Sequence, residues 1–225
     1  MKKRFILTIA ILAAWATVDA MAASTNNEQD TQTALRMLLP FAEQGDAIAQ
    51  VELGTTYHNG LGVLQDYAEA AKWFRKAAEQ GNALGQVALG NMYLLGQGLP
   101  KDDVEASKWF RKAAEQGAAN AQYQLGREYQ DGQGVQKDEA EAAKWLRKSA
   151  EQGYAWAQVS LGKMYLRGQG VPRDNVLGYM WCSLAAASGN EDAAKGISML
   201  ATVMTPDQIT EAQRLARGWK PVTPQ

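Results

Sequence analysis

The sequence predicts an all-α protein, a solenoid of helical hairpins with one hairpin in every 36 residues. Two observations carry this reading. The first is a repeat that holds its register four times. Glu-Gln-Gly occurs at 43–45, 79–81, 115–117 and 151–153, and Leu-Gly at 53–54, 89–90, 125–126 and 161–162. Tyr57, Tyr93, Tyr129 and Tyr165 keep the same step, as do Trp73, Trp109, Trp145 and Trp181. The glycine pairs Gly60/Gly62, Gly96/Gly98, Gly132/Gly134 and Gly168/Gly170 follow it too. A fixed period of roughly 20 to 50 residues marks stacked supersecondary units. The second observation is the helical spacing inside each unit: Gln86, Leu89, Gly90 and Tyr93 stand at i, i+3, i+4 and i+7, one face of a helix.

Taken in chain order, residues 1–22 read as a cleavable signal peptide. Lys2, Lys3 and Arg4 give a basic start, residues 5–15 run apolar with only Thr8 interrupting, and Ala20-Met21-Ala22 offers a small-residue cleavage site. The apolar run is short for a membrane of about 30 Å and lacks a stop-transfer flank. Residues 23–29 are a flexible linker and 30–44 a half repeat, a lone second helix in which Pro40 is expected to bend or shorten the helix. Full repeats follow at 45–80, 81–116, 117–152 and 153–188, then capping helices at 189–218 and a tail at 219–225. In the second repeat, helix A runs from after Asn82 to about Leu95, where Gly96 ends it because glycine enters the left-handed conformation without a Cβ clash. Helix B opens at Asp102 with Glu105 three residues on, a capping-box spacing repeated at Asp66/Glu69 and Asp138/Glu141. Gly54, Gly90, Gly126 and Gly162 each cost a helix about 1 kcal/mol against alanine. The offset expected is close approach of helix B, with its tryptophan, Trp109 among them, buried over the missing side chain. Thr205-Pro206-Asp207-Gln208 opens the last helix with an N-cap threonine, proline at N1 and glutamine at N3. The whole of 30–218 reads as one α-solenoid domain.

Composition removes several function classes. One cysteine forbids a disulfide within the chain and a cysteine-rich zinc site; one histidine forbids paired-histidine metal motifs. A formal charge of −1 gives no basic footprint for nucleic acid. His58 stands where later repeats have Leu94, Gln130 and Leu166, a tolerant position. Cys182 stands where they have Phe74, Phe110 and Leu146, so it reads as a small buried apolar residue. Gly96-Gln97-Gly98-Leu99-Pro100-Lys101 lacks the spacing of a phosphate loop. No catalytic residue, cofactor site or metal site is expected, and no membrane-crossing segment after the leader.

Gln-Gly-x-Ala-x-Ala-Gln-x-x-Leu-Gly-x-x-Tyr, then Gly-x-Gly-Val, then Asp-x-x-Glu-Ala-x-Lys-Trp-Phe-x-Lys-Ala-Ala resembles the Sel-1-like repeat, a relative of the tetratricopeptide solenoids. Residues 117–152 match it almost throughout, and the resemblance covers 30 to about 218. The stretch from Met204 through Trp219 also resembles endings common among bacterial members. The resemblance implies a right-handed solenoid that serves as an adaptor or scaffold, its A helices lining a concave groove. Exported bacterial relatives are associated with envelope assembly, membrane sensors, host-cell binding or peptidoglycan. A cysteine-rich branch, some of whose members are described as binding or hydrolysing β-lactams, ties each repeat with a disulfide. Cys182, alone, departs from that branch, and its activity is not carried over.

The candidate site is where the repeats disagree. Opposite the repeat-invariant face, helix A varies at Ile48, Glu52, Thr55 and Asn59; at Leu84, Ala88, Asn91 and Leu95; at Asn120, Gln124, Arg127 and Asp131; and at Trp156, Ser160, Lys163 and Arg167. Stacked in register, these strips form a binding surface for another protein or peptide, with Trp156 beside Lys163 and Arg167 as an anchor of the type common at interface hot spots. The alternative is that Ile48, Leu84 and Trp156 fill gaps between repeats. The reading is an exported, non-enzymatic interaction scaffold, periplasmic before secreted. Its alternatives are a peptidoglycan-associated or hydrolase-like cell-wall protein and a secreted host-interaction factor.

Overall fold

The structure is a computed structural model that describes residues 28–222. The expected leader, residues 23–27 of the linker and the last three residues lie outside that range. Among the described residues there are eleven helices and no strand. They are α1 (Glu28–Glu43), α2 (Ala47–Asn59), α3 (Tyr67–Glu79), α4 (Ala83–Leu95), α5 (Asp103–Glu115), α6 (Ala119–Asp131), α7 (Glu139–Glu151), α8 (Ala155–Arg167), α9 (Asn175–Ala187), α10 (Glu191–Ala201) and α11 (Pro206–Gly218). The even-numbered helices α2 to α8 are the A helices and α3 to α9 their B partners; the first, third and fourth pairs each pack as a helical hairpin within one unit.

Short polar side chains begin the helices. Asp46 and Asn82 accept hydrogen bonds from the backbone N–H groups of Ala49 and Gly85, and Asp66, Asp138 and Asp174 do the same for the B helices. Thr205 with Gln208 completes the reciprocal capping box. At Asp66 and Asp138 the glutamate of that spacing pairs with a lysine one turn on, Glu69 with Lys72 and Glu141 with Lys144. Pro40 does not shorten α1, which continues to Glu43 because Leu38 and Ala42, on either side of it, are buried against α2.

The glycine pair after each A helix has two separate tasks. Gly132, at φ 72°, is the left-handed cap of α6. Gly134, at φ 71°, is a point of contact: a Cβ there would stand 2.0 Å from the carbonyl oxygen of Asp103 at the start of α5. Gly170 lies against Glu139 in the same manner.

The chain divides into two compact units, Met1–Asp102 and Asp103–Gln225. In the first, Trp73 of α3 packs on Ala49 and Leu53 of α2 and reaches Leu38 and Ala42 of α1. In the second, Trp181 joins Leu146, Ala150, Ala157, Leu161 and Met164 in one core, and Tyr179, Leu200, Met204 and Ala212 form another under α11. The helical glycines correct the sequence expectation. The side chain over Gly54 is Phe74, over Gly126 it is Leu146, and over Gly162 it is Cys182. All three are the residue after the tryptophan. Adjacent residues on a helix point about 100° apart, so the second faces its own hairpin while the tryptophan turns toward the preceding one. Trp109 itself is half-buried rather than buried.

Candidate functional site

Each A helix is fixed on its inner side by a repeated set of bonds. Gln50, Gln86, Gln122 and Gln158 are buried and donate from Nε2 to the carbonyls of Ala42, Ala78, Ala114 and Ala150, at 2.9 to 3.3 Å. Gln80 and Gln152 in turn donate to Oε1 of Gln50 and Gln122, at 2.7 and 2.8 Å. Arg75, Arg111 and Arg147 donate to the hydroxyls of Tyr93, Tyr129 and Tyr165. With these and Leu53, Leu89, Leu125 and Leu161, all fully buried, the invariant side of helix A is consumed by packing.

The opposite side is left to solvent. In the first unit Ile48 and Leu95 are exposed, Leu84 is 65 % exposed, and Glu52, Thr55 and Asn91 are half-buried. Asn59 is exposed and Ala88 half-buried. In the second unit Trp156 is 52 % exposed, Arg127, Asp131, Lys163 and Arg167 are exposed, and Asn120, Gln124 and Ser160 are half-buried. Ile48, Leu84 and Trp156 are thus each at least half exposed. Thr55 returns its hydroxyl to the Val51 carbonyl, and Arg127 stands 3.9 Å from Asp131 and over the Tyr123 ring. Two clefts flank the Trp156 strip. Trp156 and residues 188–192 line one of about 490 Å3; Lys163, Arg167 and Lys137 line another of about 330 Å3.

His58 is tied to neighbours, with Nδ1 2.8 Å from Asn59 Oδ1 and Nε2 3.2 Å from Gln97 Oε1. Cys182 is buried, and burial pushes its thiol up against the opposing pull of Lys163. Among the described residues no three of histidine, cysteine, aspartate and glutamate come together as a metal site. The residue missed by sequence reasoning is Glu128, only 4 % exposed on α6. Neither of its carboxylate oxygens has a hydrogen-bond partner. Burial raises its pKa to about 7, reinforced by Asp103 and opposed in part by Ser107 and Arg111. The Ser107 hydroxyl instead faces the carbonyls of Asp103 and Gln133, at 3.0 and 3.4 Å. Register gives the signal that finds it: the same position holds Thr56, Met92 and Met164.

The family described as Sel1 repeat matches residues 28–46, 47–82, 83–117, 119–154 and 157–190. Among solved structures the chain is similar to a Sel1 repeat protein from Oxalobacter formigenes, at 38 % identity and a TM-score of 0.70, over 76 % of this chain and 49 % of that one. It is similar also to c5321, a protective antigen of uropathogenic Escherichia coli strains with an SLR fold, at 33 % identity and a TM-score of 0.56, over 85 % of this chain and 49 % of that one. The chain thus spans about half the length of these two. The immunity protein Pa5087 from Pseudomonas aeruginosa shares the fold at 21 % identity and a TM-score of 0.56, over 92 % of this chain and 79 % of that one. No curated protein matches.

Proposed function

The chain belongs to the Sel1 repeat family, and from that premise we propose that it is a non-enzymatic interaction scaffold of the bacterial envelope, binding a protein or peptide along the first helices of its repeats. Scaffolding is the common role of the family. The observation that carries the reading is the division of each A helix: invariant side chains are buried and bonded, while varied ones, with Leu84 and Trp156 among them, are exposed. Singly exposed apolar residues are ordinary on a surface; their recurrence at one register position, Ile48 and Leu84 in the first unit and Trp156 in the second, supports an interface reading. Helices held by buried glutamines and leucines lose little further freedom on binding, so a partner meets a preorganised surface. The basic, apolar and small-residue pattern of residues 1–22 supports export.

Affinity capture from an envelope fraction tests this with three baits. The unaltered chain is expected to retain a specific partner, and Trp156→Ala with Lys163→Glu to lose it while keeping helicity and melting behaviour. Trp145→Ala, which damages the core, is expected to lose stability and capture together. A strip variant that folds and still retains the same partner would place binding elsewhere.

A further inference from the structure

The scaffold reading leaves the partner's chemistry open, and the second unit supplies it. At one end of α8, Lys163 and Arg167 share a cleft with Lys137, Asp131 and Glu139. The two acids there are already engaged, Asp131 with Arg127 at 3.9 Å and Glu139 with Lys137 at 3.6 Å. Lys163 and Arg167 have no carboxylate partner among the described residues, and both are exposed. They stand one helical turn apart, a spacing at which like charges destabilise a helix. An anion between them relieves that repulsion. The equivalent positions are Thr55 and Asn59, Asn91 and Leu95, and Arg127 with its own counter-charge Asp131, so only the fourth repeat presents the unneutralised pair.

At the other end of the same strip the Trp156 indole forms a wall of the second cleft, whose rim carries Glu191 and Asp192. That rim repels a carboxylate and leaves the ring face to an apolar or aromatic side chain. About nine residues at about 1.5 Å each separate Trp156 from the midpoint of Lys163 and Arg167, roughly the length of four residues of extended chain at about 3.3 Å each, a spacing that also sets two side chains on one face.

Resting on the scaffold reading, we propose that the α8 strip binds an extended acidic peptide segment, with a carboxylate between Lys163 and Arg167 and an apolar side chain on Trp156 about four residues away. The carboxylate sets orientation and on-rate, and the aromatic contact holds the segment.

Selection of a random dodecapeptide display library on the full chain tests it. The unaltered protein is expected to enrich Asp or Glu paired at about four residues with an aromatic or aliphatic residue. K163E with R167E is expected to lose the acidic preference and favour Lys or Arg, and K163Q with R167Q to lose it without reversal. All these side chains are exposed, so circular dichroism and melting should not change. A synthetic copy of an enriched peptide should bind the glutamine variant about tenfold more weakly, and its binding to the unaltered protein should weaken with salt. Acidic enrichment that persists unchanged in K163E/R167E overturns the proposal, as does enrichment without acids. In the latter case a loss of enrichment on W156A leaves the scaffold reading standing. No enrichment by the unaltered protein overturns both.

Discussion

At Thr56, Met92 and Met164 the repeat sets a neutral side chain on the inner side of its first helix, and the third repeat sets Glu128 there. Burial without a hydrogen-bond partner disfavours the charged form, which is why its pKa rises from the usual 4.5 to about 7. The folded state therefore holds this proton more tightly than the unfolded chain does. Its stabilising contribution is complete below pH 4.5 and is lost as pH rises through about 7. At about 1.4 kcal/mol per unit, the loss amounts to about 3 kcal/mol above pH 8. Glu128→Gln is expected to be more stable than the parent at pH 8 by about that amount, and the difference should shrink toward pH 5. Urea titrations at a series of pH values measure it, and parallel pH profiles for the two proteins would contradict the assignment. Register alone made Cys182 legible as a small buried residue, because Phe74 and Leu146 occupy its place. The same comparison exposes Glu128, whose charge is visible in the sequence while its burial emerges only from the packed hairpin.

Within the hairpin, the glutamine ladder shows how one element recruits the next. Gln152 donates to Gln122, yet at the next step Ser188 stands where the donor should be and bonds the Leu184 carbonyl instead. Gln158 Oε1 is left buried without a partner. Ser188→Gln is expected to complete the ladder and stabilise the chain by about 1 kcal/mol, a gain that should vanish in a Gln158→Leu background. Equal gains in both backgrounds would show that the ladder is not its source. Trp145→Ala, in contrast, removes a buried indole and should cost about 3–5 kcal/mol in denaturant unfolding; a cost under about 1 kcal/mol would mean that the tryptophan is not core. Helix ends were legible from sequence because Asp66, Asp138, Asp174 and the left-handed glycines mark them directly. The neighbour of each helical glycine was not. Trp145 and Leu146 are both apolar and adjacent, and only the rotation of α7 decides which of them faces Gly126.

For the molecule as a whole, the period of 36 is written across most of the chain, so the repeat fold follows from the sequence with little help. The varied strip is legible as a position, but its occupant is not, because the complementary chemistry belongs to another molecule. The end of the chain makes a separate demand. Trp219 packs edge-on to Trp181 and α11 covers Tyr179 and Leu200, so removing residues 205–225 should uncover an apolar face and cause self-association, read by light scattering. A truncated chain that stays monodisperse would contradict that capping role. If residues 1–22 are cleaved on export, intact mass of the exported protein should begin at Ala23, and full-length chain in the membrane pellet would oppose it. The central claim concerns the strip, and site-specific photocrosslinking in living cells tests it most directly. A photoreactive residue at Leu84, Arg127 or Trp156 should yield adducts with one and the same protein, whereas at Lys72 or Lys144, exposed on the B helices, it should yield none. Adducts from the lysine positions alone would contradict the claim.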